Sequence, residues 1–207
     1  LSYGTAFKAP SFNQLYYPGV DGFPGYGNPN LNPEKSKSWE LGISGKYKTF
    51  NWGMNLYQTK VTDLIGGYPA QNINKAKMNG AEISFDTHLD RWQLQSNVSW
   101  LNPKNTETDK LLPRRAEQMA NLALSRQFSQ TTLTVELSAQ GKRYDDVANT
   151  NKLGGYSVLN LHTEYRFAKN GWVRAKIDNV FDKNYEVVKH YEMPGRTFML
   201  QIGFEKK

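Results

Sequence analysis

Apolar and polar residues alternate along this chain in stretches of roughly ten, and the connections between stretches are alternately short and long. Trp92, Leu94, Val98 and Trp100 fall on one face of such a stretch, interrupted by Ser96, while Gln93, Gln95, Asn97 and Ser99 fall on the other. Leu133, Val135, Leu137 and Ala139 oppose Thr132, Thr134, Glu136, Ser138 and Gln140. Leu159, Leu161, Tyr165 and Phe167 oppose Asn160, His162, Glu164 and Arg166, and Phe198, Leu200, Ile202 and Phe204 oppose Thr197, Met199, Gln201 and Gly203. A period of two is the signature of extended backbone, so the pattern predicts about ten β-strands, each with one apolar and one polar face.

The short connections fall near Lys48-Thr49-Phe50-Asn51, Leu89-Asp90-Arg91, Phe128-Ser129-Gln130 and Ala168-Lys169-Asn170-Gly171. The long ones fall near Ala9 to Pro33, Gly66 to Asn74, Leu101 to Pro113, Asp145 to Leu153 and Asp182 to Pro194, and are rich in Pro, Gly, Asn, Asp and Lys. Strict alternation gathers the short turns on one side of an antiparallel sheet and the long loops on the other, as in outer-membrane barrels.

A half-buried sheet on a soluble core would also alternate. The aromatic residues favour lipid. Trp39, Trp52, Trp92, Trp100, Tyr144, Tyr165, Phe167, Trp172 and Phe204 are expected near strand ends, where interfacial girdles sit, rather than mid-strand in a core. The fold expected is therefore all-β, an antiparallel transmembrane β-barrel fragment. Ten strands ending at a chain terminus would leave an edge that cannot survive in hydrocarbon. Leu1-Ser2-Tyr3-Gly4 also begins inside a strand-like pattern, so upstream strands are expected.

Composition narrows the function. Apolar residues make up 38% of the 207, and no run of about 18 exists to form a helical span. The net charge of +7 is scattered over loops and alternating strand positions, which argues against nucleic acid. No cysteine is present. No GxSxG elbow, P-loop or dinucleotide fingerprint occurs, so the sequence gives no sign of an enzyme. His88, His162 and His190 lack metal-ligand spacing, and Asp145-Asp146 and Asp182 lack any EF-hand-like pattern, so no metal is assigned.

SYGTAFKAPSFNQLY (Ser2 to Tyr16) followed by GNPNLNPEKSKSWELGI (Gly27 to Ile43) resembles the C-terminal half of TonB-dependent outer-membrane transporters. VTDLI (61–65), NINKAKMNGAEI (72–83), LLPRRAEQ (111–118), GKRYDD (141–146), KIDNVFDKNYE (176–186) and PGRTFMLQIGF (194–204) follow in that family's order, so the resemblance covers essentially the whole chain. Within the family it looks most like the cobalamin (vitamin B12) receptors, and ferric-siderophore and haem receptors share most of these motifs.

The resemblance implies a 22-stranded barrel in the Gram-negative outer membrane, of which residues 1–207 supply roughly the last ten strands. It implies an N-terminal plug domain and a TonB box that are absent from this chain, calcium-binding loops in upstream parts, and contact with outer-membrane lipid and lipopolysaccharide. A passive porin-like barrel is the alternative of another class. One departure is that Phe204, in the family's terminal aromatic position, is followed by Glu205-Lys206-Lys207.

The family resemblance makes Arg114 a candidate hydrogen-bond donor to a bound corrinoid or to the plug, through the planar fork of its guanidinium. Arg115 beside it is expected on the opposite face. Pairing of a wall arginine with Asp or Glu is the competing expectation. Tyr16, Tyr17, Phe23 and Tyr26 give the first long loop rings that could cover a large planar ligand, with Pro18, Gly19, Gly22, Pro24 and Gly25 supplying turns. Tyr144, Asp145 and Asp146 form a third candidate contact. Glu82, Glu136, Glu164, Arg166, Arg174, Lys176 and Asp178 are expected on the lumen face, paired across strands and available to the plug.

Overall fold

The alternating stretches become ten antiparallel strands that pair in chain order, so no connection crosses the sheet. The computed structural model describes residues 1–19, 22, 25–67 and 69–205, apart from the side chains at 73 and 74. Phe23, Pro24, Lys206 and Lys207 lie outside the described residues.

The elements are β1 (Ser2–Lys8), α1 (Phe12–Tyr16), β2 (Glu34–Tyr47), β3 (Phe50–Gly66), β4 (Gln71–Leu89), β5 (Trp92–Asn105), β6 (Gln118–Phe128) and β7 (Thr131–Gln140). After them come β8 (Arg143–Tyr144), β9 (Lys152–Leu153), β10 (Tyr156–Tyr165), β11 (Gly171–Asp178), β12 (Glu186–Val188), β13 (Tyr191–Glu192) and β14 (Thr197–Phe204). The sheet order is β1-β2-β3-β4-β5-β6-β7-β10-β11-β14, and β8–β9 and β12–β13 are small hairpins inside the loops. Its two free edges are β1 and β14.

The short connections lie where the sequence places them. Tyr47 pairs with Phe50, Leu89 with Trp92 and Phe128 with Thr131, so two residues close each hairpin. The first of the two is left-handed each time, Lys48 at φ 52°, Asp90 at 53° and Ser129 at 51°, which suits the twist of the flanking strands.

The register extends each apolar face into a continuous band. Leu41, Leu56, Ala81 and Trp100 form one rung across β2 to β5, and Ile43, Met54, Ile83 and Val98 form the next. Ala120, Ala139 and Ser157 continue at the height of Val98. The band is not covered: Leu41, Ile43, Ile83, Leu122, Leu133 and Leu200 are 44, 55, 43, 40, 41 and 70% exposed. The described buried hydrophobics are few, chiefly Val61, Ala76 and Leu112 with fully buried Pro103, and none of them belongs to this band. A soluble sandwich would bury the band, so its solvent is lipid.

Aromatic residues edge the band. Tyr47, Trp52, Trp92, Phe128, Tyr165, Phe167 and Phe204 stand at the short-turn end, with Phe167 edge-on to Phe204 at 5.6 Å. Tyr3 and Trp39, 4.6 Å apart, and Trp100 stand at the other. Four aromatic placements are corrected. Trp39 and Trp100 stand well inside β2 and β5, because those strands continue beyond the girdle. Tyr144 lies off the main sheet, in the β8–β9 hairpin. Trp172 lies on the polar face: it pairs with Gly203, a Cβ on which would come within 2.2 Å of its ring.

The strands are unequal. β2 to β5 run 14, 17, 19 and 14 residues, whereas β6, β7, β10, β11 and β14 run 8 to 11. Two stretches read as loop are therefore partly strand, since β5 continues through Leu101–Asn105 and the β3–β4 connection shrinks to 67–70. Polar ladders above the membrane keep their backbone bonds without an apolar face, and the side-chain pattern cannot report them.

The polar face carries charged pairs, of which Arg174–Glu164 crosses strands as expected, whereas Arg166–Glu164 and Lys176–Asp178 lie along a single strand segment. Arg174 Nε donates to Glu164 at 2.6 Å, Arg166 Nε to Glu164 at 2.8 Å, and Lys176 Nζ lies 3.0 Å from Asp178. The Arg174 guanidinium also covers the Trp172 ring at 3.9 Å.

Candidate ligand-binding site

The long loops gather at one end of the sheet, and specific side chains stitch them together there. In the first loop, α1 opens with a reciprocal capping box: Ser11 Oγ accepts from Gln14 N at 3.3 Å, and Gln14 Oε1 accepts from Ser11 N at 2.8 Å. The chain then turns back on the helix, with Asn28 N donating to Gln14 O at 2.8 Å. Gly27 permits the approach, since a Cβ there would lie 2.6 Å from Tyr17 N. Tyr17 stacks on Tyr26 at 4.3 Å and 18°, whereas Tyr16, tilted against Phe12, stays 54% exposed.

Asparagine side chains then bind loop to loop. Asn32 N donates to Asn72 Oδ1 at 2.9 Å and Asn72 Nδ2 donates to Asn32 O at 3.0 Å, so one amide makes both backbone bonds of Asn32. Asn28 Nδ2 donates to Ala70 O at 3.1 Å. Lys8 meets Glu34 at 3.2 Å, joining the FKAP and NPE segments. The LPRRAEQ segment doubles back along β5, with Leu112 N donating to Pro103 O at 2.8 Å and Leu101 N to Glu117 O at 2.8 Å.

Arg114 and Tyr144, two of the candidates, come together here. Arg114 N donates to Tyr144 O at 2.6 Å, and Arg114 Nε donates to Asp145 Oδ1 at 2.7 Å. Arg114 is left-handed at φ 60°, and its side chain is 57% exposed. Its Nε is spent on Asp145, and among the described residues its two terminal nitrogens have no hydrogen-bond partner. Arg115 Nη1 donates to Pro113 O at 3.2 Å. Tyr144 sits in the β8–β9 hairpin, inside the loop after β7. Tyr16 and Tyr17 lie between β1 and β2, with β2 to β5 separating them from the Arg114 group in the sheet.

Asp146 organises the loop that carries Tyr144. Its carboxylate accepts from Asn151 N at 2.7 Å, from Thr150 Oγ1 at 2.8 Å and from Thr150 N at 3.1 Å. The Asn151 amide above all, with Thr150 assisting against a smaller burial effect, lowers its pKa from 3.8 to about 2. Lys189 of the last long loop donates to Asn151 Oδ1.

In the DNVFD motif, Asn179, 4% exposed and left-handed at φ 51°, accepts from Lys183 N at 2.8 Å and donates to Lys183 O at 2.9 Å. Asp182 Oδ1 accepts from Arg196 N at 2.7 Å, and a Cβ on Gly195 would lie 2.6 Å from the same oxygen. Tyr185 stacks on Tyr156 at 4.1 Å, and burial raises its phenol pKa. These motif residues build loops.

The polar face holds a concavity of about 440 Å³ lined by Thr132, Thr134, His162, Glu164, Arg174 and Gln201, among others. His162 Nε2 lies 3.5 Å from Glu136 and 4.0 Å from Asp178. Alternation places these side chains on one face, and strand register brings His162 of β10 between Glu136 of β7 and Asp178 of β11, which sequence spacing alone does not show. Among the described residues no group of three or more His, Asp or Glu side chains is placed to hold a metal ion.

Comparison with known proteins follows the same outline. The TonB dependent receptor-like, beta-barrel family matches residues 1–180. The vitamin B12 transporter BtuB of Photobacterium profundum is 32% identical over 206 residues, covering 94% of this chain and 33% of that protein. The chain thus spans about a third of that relative. Among solved structures, the copper transporter OprC matches 98% of this chain and 36% of its own, with a TM-score of 0.80 and 22% identity. The ferric enterobactin receptor PfeA of Pseudomonas aeruginosa, in a G324V mutant, matches 98% and 37% with 0.77 and 22%. The siderophore receptor PiuA of Acinetobacter baumannii matches 84% and 29% with 0.72 and 22%. At these identities the structures speak for the fold alone.

Proposed function

The chain belongs to the TonB-dependent receptor β-barrel family of the outer membrane, and from that premise we propose that it is the C-terminal barrel portion of a receptor that takes up cobalamin. The carrying observation is the 32% identity to a vitamin B12 transporter along 94% of the chain. An upstream segment would supply the remaining strands, closing the edges at β1 and β14, as well as the plug and the TonB box.

In this reading the polar face lines the lumen and docks the plug through Arg174, Lys176 and Asp178. The ligand rests in the mouth between loops and plug apex, and no covalent step occurs. Arg114 turns its unpaired guanidinium nitrogens to the carbonyl and amide-rich rim of a corrinoid, held in aim by Asp145. Arg115, Tyr144 and the first-loop rings Tyr16 and Tyr17 complete the contact set. TonB energy remodels the plug and admits the ligand.

A ferric siderophore or haem is the second reading, since receptors of siderophores share this fold and the fold alone does not choose the cargo. Titration of the full-length receptor, purified with calcium, against cyanocobalamin, ferric siderophores and haem tests both. Tight binding of cyanocobalamin alone is expected. Binding of an iron complex with silence toward cyanocobalamin would overturn the first reading in favour of the second.

A further inference from the structure

The polar face of the sheet is not uniform, and the difference runs strand by strand. On β5 it carries Ser99, Asn97, Gln95 and Gln93, from the long-loop side down to the short turns, and β6 sets Asn121 directly beside Asn97. No polar-face position of these two strands is charged, from Ser99 to Gln93 or from Met119 to Gln127. At the same heights β10 and β11 carry His162, Glu164, Arg174, Lys176 and Asp178. The neutral stretch is flanked by carboxylates, Glu82 and Asp86 on β4 and Glu136 on β7.

The two stretches also differ in what their side chains have left to offer. On β10 and β11 the charges satisfy one another, since Glu164 takes both Arg174 and Arg166, and Asp178 takes Lys176. On β5 the carboxamides of Gln93, Gln95 and Asn97 have no hydrogen-bond partner among the described residues. Asn121 uses its oxygen alone, accepting from Ser138 Oγ at 2.9 Å. Gln95 and Asn121 are exposed, and Gln93 and Asn97 are half-buried.

Free amides therefore recur at every second residue down β5, about 7 Å apart. Beside them Gln95, Asn97, Asn121 and Ser138 line a recess of about 300 Å³. A carboxamide offers two donors and an acceptor without a net charge. Passage along a wall needs contacts that are numerous and individually weak, so that each can be left for the next. A ladder of neutral amides meets that need, whereas a wall of ion pairs already closed on themselves does not.

We propose that the neutral stretch of β5 and β6, with Gln93, Gln95, Asn97 and Asn121 as its rungs, is the side of the lumen along which the cargo passes the plug. The cargo's own carbonyl and amide rim is handed from one carboxamide to the next, and the charged wall of β10 and β11 is the side that keeps the plug. This rests on the reading of the chain as part of a TonB-dependent nutrient receptor and extends it from the mouth to the passage.

The test uses the full-length receptor, in cells for TonB-dependent uptake of radiolabelled cyanocobalamin and purified for its binding. Unfolding temperature and heat-modifiable gel migration report the fold. Wild type is compared with Asn97→Leu and with Gln93→Met/Gln95→Met/Asn97→Leu, which remove the amides at nearly constant volume. Thr132→Val/Gln201→Met is the control, on the rung of Glu164 and Arg174.

Each neutral hydrogen bond is worth about two- to tenfold, so initial uptake should fall about threefold in the single variant and about thirtyfold in the triple. Cyanocobalamin affinity should stay at the wild-type value in both, and the control should take up cyanocobalamin as wild type does. Undiminished uptake by the triple variant overturns the proposal, and so does an equal loss in the control. Benzoylphenylalanine in place of Gln95 or of Gln201 gives a second reading that does not depend on how the triple variant folds. Illumination during uptake should join cyanocobalamin to the receptor at 95 and not at 201, and no adduct at 95 overturns the proposal. If wild type binds no cyanocobalamin, the cobalamin reading fails, and uptake of ferric enterobactin by the same variants then decides the passage by the same criteria.

Discussion

The side-chain amide of Asn149 makes both backbone hydrogen bonds of Leu111, accepting from its N–H at 2.8 Å and donating to its C=O at 2.9 Å. Asn72 does the same for Asn32, and Asn179 for Lys183. A carboxamide offers one donor and one acceptor side by side, the pair that a neighbouring strand would offer. Three asparagines thus satisfy loop backbone where the sheet cannot reach.

Asn149→Ala should uncouple the loop after β5 from the loop after β7. Losing both bonds should lower the local opening free energy by about 1–3 kcal/mol, read as faster amide exchange in 106–117 and 141–155 with the strands unchanged. Unaltered exchange would show that Arg114 and Asp145 suffice to join them.

Asn179→Ala should cost about 2–3 kcal/mol, because it removes a buried amide with bonds at both ends and places alanine at φ 51°. The readout is the unfolding temperature of the full-length receptor. A change no larger than that of an exposed asparagine variant would refute the structural role of the motif.

Acid should loosen the loop carrying Tyr144. The Asp146 pKa is lowered from 3.8 to about 2, so its contribution is fully present above pH 3.8 and is lost as pH falls through about 2. Amide protection at Thr150 and Asn151 should fall between those values, and Asp146→Asn should remove the dependence. Loss of protection already at about pH 6, near the histidine range, would point to another group.

Gly203→Ala should push the Trp172 ring off the polar face and away from Arg174, costing about 1–3 kcal/mol and shifting tryptophan emission. Gly4→Ala is the control, because nothing lies within 4 Å of a Cβ there. Equal behaviour of the two would mean that Trp172 has room to move.

Arg114→Ala should leave the unfolding temperature nearly unchanged, since the arginine of its pair with Asp145 is 57% exposed, while weakening cyanocobalamin binding about tenfold or more. Unchanged affinity would remove Arg114 from the ligand site and leave it as a clasp between loops.

Much of the fold was legible in the sequence. Leu133 through Gln140 and Phe198 through Phe204 carry their two faces openly, and the turns at Lys48, Asp90 and Ser129 interrupt the alternation within a residue of their observed places. Trp172 misled because tryptophan near a turn suits either face until Gly203 is seen to leave the room. Pro103, Lys104 and Asn105 read as loop because rigid or polar residues above the membrane carry no apolar alternation. Of the candidate site, the motifs singled out Arg114 and Tyr144 separately, and their contact comes from loop pairing that the sequence does not display.

The step in height between the long strands β2 to β5 and the shorter strands that follow divides this part of the rim into two unlike stretches. One side is a stiff parapet, tied by continuous backbone ladders and unable to bend without breaking them. Beyond it the rim is loop, joined by side-chain amides, the Asp146 carboxylate and the Arg114–Asp145 pair. Along this part of the wall any inward movement should therefore fall to the loops after β5, with the parapet acting as the anvil.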